Sequence, residues 1–206
     1  GRPLRGVEYR VEGGGRVGEL LVRGKSLHTG RLKDGALLPP DTREDGWYAT
    51  GDVVRLTGTG RMFIEGRCKD VIVNESGENV YPDELEDVFA GLEGVEQHAV
   101  LGVPRDGKRR SYEDITLVLS VGGRAGDRAY LEALGERVVR LNQKQPTIKR
   151  LTRALVTNDP LPLTNGIKVK RFKLKERILN GELSFRELSL VKTRGRAAEQ
   201  GAREDG

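Results

Sequence analysis

An aspartate, an arginine and a lysine stand beside glycine or turn-forming residues at widely separated points of this chain. Asp52 closes the run Tyr48-Ala49-Thr50-Gly51-Asp52. Arg67 follows Gly66 in Gly66-Arg67-Cys68-Lys69-Asp70, and Lys168 ends Leu161-Pro162-Leu163-Thr164-Asn165-Gly166-Ile167-Lys168. A carboxylate accepts hydrogen bonds from both hydroxyls of a ribose, while arginine and lysine neutralise phosphate oxygens. Read as three loops, these segments converge on one nucleotide if two parts of the chain fold over each other. Each residue also has a plainer reading. Asp52 fits a turn-capping aspartate. Arg67 fits an exposed arginine paired with Glu65 or Asp70, worth under ~1 kcal/mol. Lys168 fits one member of a basic run, with Lys170, Arg171, Lys173 and Lys175, on a solvated helix face.

The elements that must position these groups change character along the chain. Residues 1–66 read as short strands: Val7 to Val11 and Glu19 to Val22 around Gly13-Gly14-Gly15, and a hairpin of Val53–Leu56 with Arg61–Ile64 across Thr57-Gly58-Thr59-Gly60. Gly46 to Asp52 reads as a loop. Such a segment leaves sheet edges open, as a torn piece of a larger domain would. A boundary is expected at Arg67 to Asp70, and beyond it strands and helices alternate. Val71-Ile72-Val73 reads as a strand and Asn74 to Asn79 as a polar turn. A helix starts at Pro82, whose fixed φ suits a first helical position, with Asp83 and Glu84 near its positive end and Leu85, Val88, Phe89 and Leu92 as its stripe. Strands follow at Gln97–Val103 and Asp114–Val121. Asp127 caps a second helix with stripe Tyr130, Leu131, Leu134, Val138 and Leu141, stopped by Pro146. Leu151–Thr157 reads as a third core strand and Lys170–Asn180 as a last helix closed by Gly181. Asp106 to Arg110 reads as an exposed hairpin turn, and residues 193–206 as a disordered charged tail.

Composition narrows the classes. Of 206 residues, 36% are apolar and 33% charged, enough for a modest core. The net charge of +5 suits anionic ligands and is equally an ordinary surface charge. The single cysteine, Cys68, rules out an internal disulfide and fits a reducing cytosol. No apolar run reaches ~18 residues, so no membrane span is expected. The basic run holds a single aromatic, Phe172, and lacks the repeated interleaved aromatics of a single-strand nucleic-acid binder, so no nucleic-acid role is expected. His28 and His98 have no spaced metal partner and read as structural or surface residues.

Together the runs resemble the carboxy-terminal part of the adenylate-forming acyl-CoA synthetase family. Gly18 to Gly24 looks like the strand before that family's ribose loop, and Asp45 to Asp52 like the ribose loop itself. Gly66 to Glu86 looks like the hinge with the first loop and helix of a small lid domain. Asn142–Arg150 with Leu161–Arg171 looks like the stretch that ends in the catalytic lysine. Any single motif is weak, and four in the family's order are specific. The family's phosphate loop and adenine loop are absent, so the resemblance implies a fragment or a split gene product. Its expected organisation is α+β: 1–66, the β-rich end of the large domain; 67–192, a lid with a three-stranded sheet, helices and a β-hairpin; then the tail.

The resemblance implies roles. Lys168 is the catalytic lysine, Asp52 and Arg67 bind the nucleotide, Lys69 and Asp70 form the hinge, and Gly77 lies on the side of the pantetheine arm; Gly77 also reads as a plain turn glycine. The parent would take ATP, Mg2+, a carboxylic acid and coenzyme A, forming acyl-adenylate and then thioester. The fragment alone would be inactive without its amino-terminal domain. Ile167 before the lysine, and Lys168-Val169-Lys170-Arg171, resemble the long-chain fatty acyl branch. Two alternatives stand beside this: loading of a carrier protein's phosphopantetheine, or a non-catalytic lid that binds a partner. The expected location is the cytoplasm, free or peripheral to a membrane.

Overall fold

The computed structural model describes residues 4–40, 42–43, 45–104 and 112–191. The expected turn at Asp106–Arg110 and the tail at 193–206 lie outside them.

The first part is built from strands β1 (Glu8–Val11), β2 (Val17–Arg23), β3 (Arg31–Lys33), β4 (Ala36–Leu38), β5 (Tyr48–Leu56) and β6 (Met62–Arg67). Four of them form an antiparallel sheet in the order β1-β2-β5-β6, and β3 and β4 make a separate hairpin. Its buried apolar residues are few: Val11, Leu21, Trp47, Val53 and Val54. The guanidinium groups of Arg10 and Arg23 each lie 4.8 Å from the Trp47 ring centre, so cations complete the cover of that indole. Leu32, Leu37 and Ile64 stay largely exposed. The expected hairpin across Thr57–Gly60 is present, and Gly60 takes φ +73°, a conformation that favours glycine.

Beyond a short 3-10 turn at Cys68–Asp70 come β7 (Ile72–Val73), β8 (Asn79–Val80), α1 (Pro82–Phe89), β9 (Gln97–Val103), β10 (Asp114–Ser120), α2 (Arg128–Gln143), β11 (Arg153–Thr157), β12 (Leu163–Thr164), β13 (Lys168–Val169), α3 (Arg171–Leu179) and β14 (Arg186–Glu187). The main sheet runs β14-β11-β10-β9. β10 and β11 are parallel and α2 is their crossover, the connection that parallel strands require. Every residue of β10 is buried, because helices cover both faces. Successive side chains point to opposite faces. Ile115, Leu117 and Leu119 meet Leu85, Phe89, Leu134 and Val138 of α1 and α2. Val118, with Ala99, Leu101 and Leu155, meets Leu161 and Leu174 on the α3 side. Each fully buried Leu or Phe here contributes roughly 1.5–3 kcal/mol by burial.

Asp127 caps α2 as expected, its carboxylate accepting from the Tyr130 N–H at 3.1 Å. The sheet has four strands rather than the expected three. The fourth, β14, is two charged, exposed residues paired antiparallel with Leu155 and Val156. An exposed charged pair carries no apolar alternation, so only its backbone hydrogen bonds reveal it; charge on an edge strand discourages further pairing.

Candidate functional site

Asp52 is not in a loop, which corrects the sequence reading. It belongs to β5, at a bulge where Glu19 of β2 pairs with Val53 and Leu21 with Ala49, so that Thr50, Gly51 and Asp52 face Leu20 alone. The bulge is held by its neighbours. The Thr50 hydroxyl donates to the Leu20 carbonyl at 2.9 Å and accepts from the Asp52 N–H at 3.1 Å. The Gly51 N–H donates to Glu19 Oε1 at 3.0 Å. Gly51 takes φ +73°, where an L side chain is strained, and this lets the strand absorb its extra residues.

Across the ladder, Asp52 is in direct register with Arg67 of β6. Arg67 Nη1 donates to Asp52 Oδ1 in a short contact and lies 3.4 Å from the Thr50 carbonyl. The hydrogen bond and charge of Asp52 raise the Arg67 pKa above its ordinary value. Neither plainer partner of Arg67 is used: Glu65 is bound by Arg55 at 2.6 Å, and Asp70 by Arg171 at 3.1 Å. Two of the expected nucleotide groups therefore stand together, with Asp52 half-buried and Arg67 exposed.

Lys69 and Asp70 sit in the 3-10 turn between the two parts. Lys69 is exposed and Asp70 is half-buried. Gly77 caps the turn between β7 and β8 at φ +76°, its N–H donating to the Asn74 carbonyl at 2.9 Å. Nothing lies within 4 Å of where its Cβ would be, so the turn explains this glycine and its outer face is open. The turn is organised by buried Asn74, whose Oδ1 accepts from Ser76 and Glu78 and whose Nδ2 donates to the Ile148 carbonyl at 2.8 Å.

Lys168 lies in β13, paired with Thr164 of β12, rather than in a loop or on a helix face. The hairpin reverses through Asn165 at φ +49° and Gly166 at φ +74°. Lys168 is exposed, and its ammonium has no hydrogen-bond or ion-pair partner among the described residues. Ile167 beside it is 83% exposed. No hydrogen bond or ion pair joins Lys168, Lys69 or Gly77 to Asp52 or Arg67 among the described residues.

Sequence reasoning missed Arg171. Placed in a solvated basic run, it is instead 16% exposed and ringed by Asp70, Asp83 and Glu86. Burial works against its charge, yet Glu86 and Asp83 hold its pKa above the ordinary arginine value. Lys175 is likewise paired, with Glu113, so the run holds two anchored cations, the exposed Lys168 and Lys173, and a half-buried Lys170. No group of three or more His, Cys, Asp or Glu that could hold a metal occurs among the described residues. No helix there is long and apolar enough to cross a membrane.

No family model matches the chain. A 2-succinylbenzoate--CoA ligase of Listeria monocytogenes is 31% identical over 160 residues, 78% of this chain and 32% of its own length. The mitochondrial medium-chain acyl-CoA ligase ACSF2 of Macaca fascicularis is 31% identical over 161 residues, 78% of this chain and 24% of its own. Its homologues are CoA ligases of the adenylate-forming family. The ATP-bound MatB of Rhodopseudomonas palustris superposes with a TM-score of 0.63 at 28% identity, over 87% of this chain and 35% of that one. The fold matches the carboxy-terminal part of adenylate-forming ligases. The chain spans about a quarter to a third of the length of these relatives.

Proposed function

We propose that this chain acts as the carboxy-terminal part of an ATP-dependent acid:CoA ligase, with 1–66 completing a large domain, 67–192 forming its lid and a separate segment supplying the phosphate and adenine loops. The acid's carboxylate oxygen attacks the α-phosphorus of ATP and pyrophosphate leaves. The thiol of coenzyme A then attacks the acyl carbonyl, loses its proton, and AMP leaves.

Asp52 accepts from the ribose hydroxyls and Arg67 orients it while offering positive charge to the nucleotide. Lys168 places an ammonium on the phosphoryl oxygens, where charge spreads in the transition state. Rotation about Lys69 removes that ammonium and brings the open turn at Gly77 toward the pantetheine arm. Mg2+ would accompany ATP, but the described residues supply no ligand cluster for it, and this chain is assigned no part in holding it.

The observation that carries the reading is the directly opposed pair of Asp52 and Arg67 on a glycine-relaxed bulge, with an exposed Lys168, unpartnered among the described residues, on a separate hairpin. A fatty acid is the proposed substrate. Its support is the exposed Ile167 with Lys168-Val169-Lys170-Arg171, and the similarity to a ligase whose name specifies medium-chain acyl groups.

The test is pyrophosphate and AMP release by the full-length ligase with ATP, Mg2+ and a panel of carboxylic acids, followed by addition of coenzyme A or a phosphopantetheinylated carrier protein. Acid-dependent release with transfer to coenzyme A is expected. Transfer to the carrier alone replaces the acceptor, and no acid-dependent release overturns the reading. The 206-residue chain by itself should release no pyrophosphate.

A further inference from the structure

We propose that Arg171 is a positioning residue that joins the hinge residue Asp70 to the Lys168 hairpin as one rigid body. This rests on the reading of Lys69 and Asp70 as the hinge and of Lys168 as the group that acts on ATP. Arg171 stands three positions after Lys168, at the start of α3. Its guanidinium ties α3 to two other elements, the turn that holds Asp70 and the helix α1 that holds Asp83 and Glu86. Nη1 reaches Asp70 Oδ2 at 3.1 Å, Nη2 reaches Glu86 Oε2 at 2.8 Å and also Asp83, and Nε reaches Glu86 Oε1 at 3.2 Å.

The anchor is itself fixed to the sheet. Glu86 Oε1 accepts from the Val100 N–H of β9 at 2.8 Å, and the Glu86 carbonyl lies 3.0 Å from His98 Nε2. At the other end, the Lys170 N–H donates to the Pro162 carbonyl at 2.7 Å and the Lys170 carbonyl accepts from Leu174 at 3.0 Å. The base of the Lys168 hairpin and the first turn of α3 are thus closed on each other next to the clamp.

Two consequences follow. Asp70 turns with the lid, so backbone rotation is confined to the residues of the turn before it, Cys68 and Lys69. The Lys168 hairpin also cannot lag behind α1 when the lid moves. A planar fork with several donors can serve three carboxylates at once, whereas the point charge of lysine cannot hold the same geometry.

The experiment is site-resolved amide hydrogen exchange on the 206-residue chain, comparing wild type with Asp70→Asn, Arg171→Lys and, as a control, Lys173→Ala. Lys173 is an exposed lysine of the same helix. Asp70→Asn and Arg171→Lys should each speed exchange on the order of tenfold at two places together: the hinge turn at 68–70, and the amides of Lys170 and Leu174. The amides of β10 should not change, and Lys173→Ala should do nothing. Acceleration confined to the hinge, or none at all, overturns the coupling. Acceleration spread through β10 in both variants shows a merely structural arginine and also overturns it. The readout needs no nucleotide. Coupled exchange in a protein whose full-length form activates no acid would therefore reject the ligase reading and keep the coupling.

Discussion

Arg67 stands directly across the β5–β6 ladder from Asp52 and donates its Nη1 hydrogen to that carboxylate. A cross-strand pair of opposite charge contributes little to stability at a partly exposed site. The bulge that places it needs Gly51 in a left-handed conformation and a Glu19 side chain 32 residues away to hold its N–H. Such an arrangement is better explained by what the carboxylate presents than by what the pair stabilises. In the full-length ligase, Asp52→Asn should raise the ATP KM by roughly 10- to 100-fold, the worth of hydrogen bonds to a charged group. Thermal unfolding should move little. An unchanged KM would leave Asp52 as no more than the cross-strand partner of Arg67.

The two parts should separate under protease. Both apolar clusters lie within residues 72–190, whereas the first sheet buries only a handful of apolar side chains. Limited proteolysis should cut near Arg67 to Asp70 and leave a carboxy-terminal piece that keeps its helical circular dichroism. Uniform protection along the chain would contradict an independent lid.

Cys68 offers a reporter at the proposed hinge, since it is the only cysteine of the chain. Cys68 is exposed, yet partial burial of its sulfur pushes the thiol up, and the carboxylates of Glu19, Asp52 and Glu12 push the same way. A raised pKa lowers the thiolate fraction at any given pH, and the thiolate is the nucleophile. Alkylation by iodoacetamide should therefore be slower than that of a free thiol near pH 8, with its rate profile displaced to higher pH. Asp52→Asn, which removes one of these negative charges, should move the profile back down. A profile matching free cysteine in the wild type would contradict the packing described here.

Much of the part beyond Asp70 was legible in the sequence because its signals are local. Pro82 at a first helical position, Asp127 three residues before the N–H it caps, and apolar stripes at helical spacing all act within a turn of themselves. Asp52 reads as a loop residue because Gly51 reads locally as a turn. What makes the segment a bulged strand is pairing with Glu19 and Leu21, some 30 residues earlier. Arg171 was hidden for the same reason at longer range: its carboxylates lie 85 to 101 positions away, while the charged residues beside it, Lys170 and Lys173, are lysines. The two-residue strand β14 gave no pattern to read, since both its side chains are charged and exposed.

The central claim is that Lys168 acts in one half-reaction only. In the full-length ligase, Lys168→Ala should slow adenylate formation by several hundred-fold, since one positioned charge donor stabilises such a transition state by about 3 to 4 kcal/mol. Lys173→Ala, which removes a solvated charge from the next helix, should cost far less. The decisive measurement supplies pre-made acyl-adenylate and coenzyme A to the Lys168→Ala enzyme and follows thioester. The account predicts a rate close to wild type, because the lid has turned Lys168 away by then. A thioester step that falls as far as the adenylation step would contradict it.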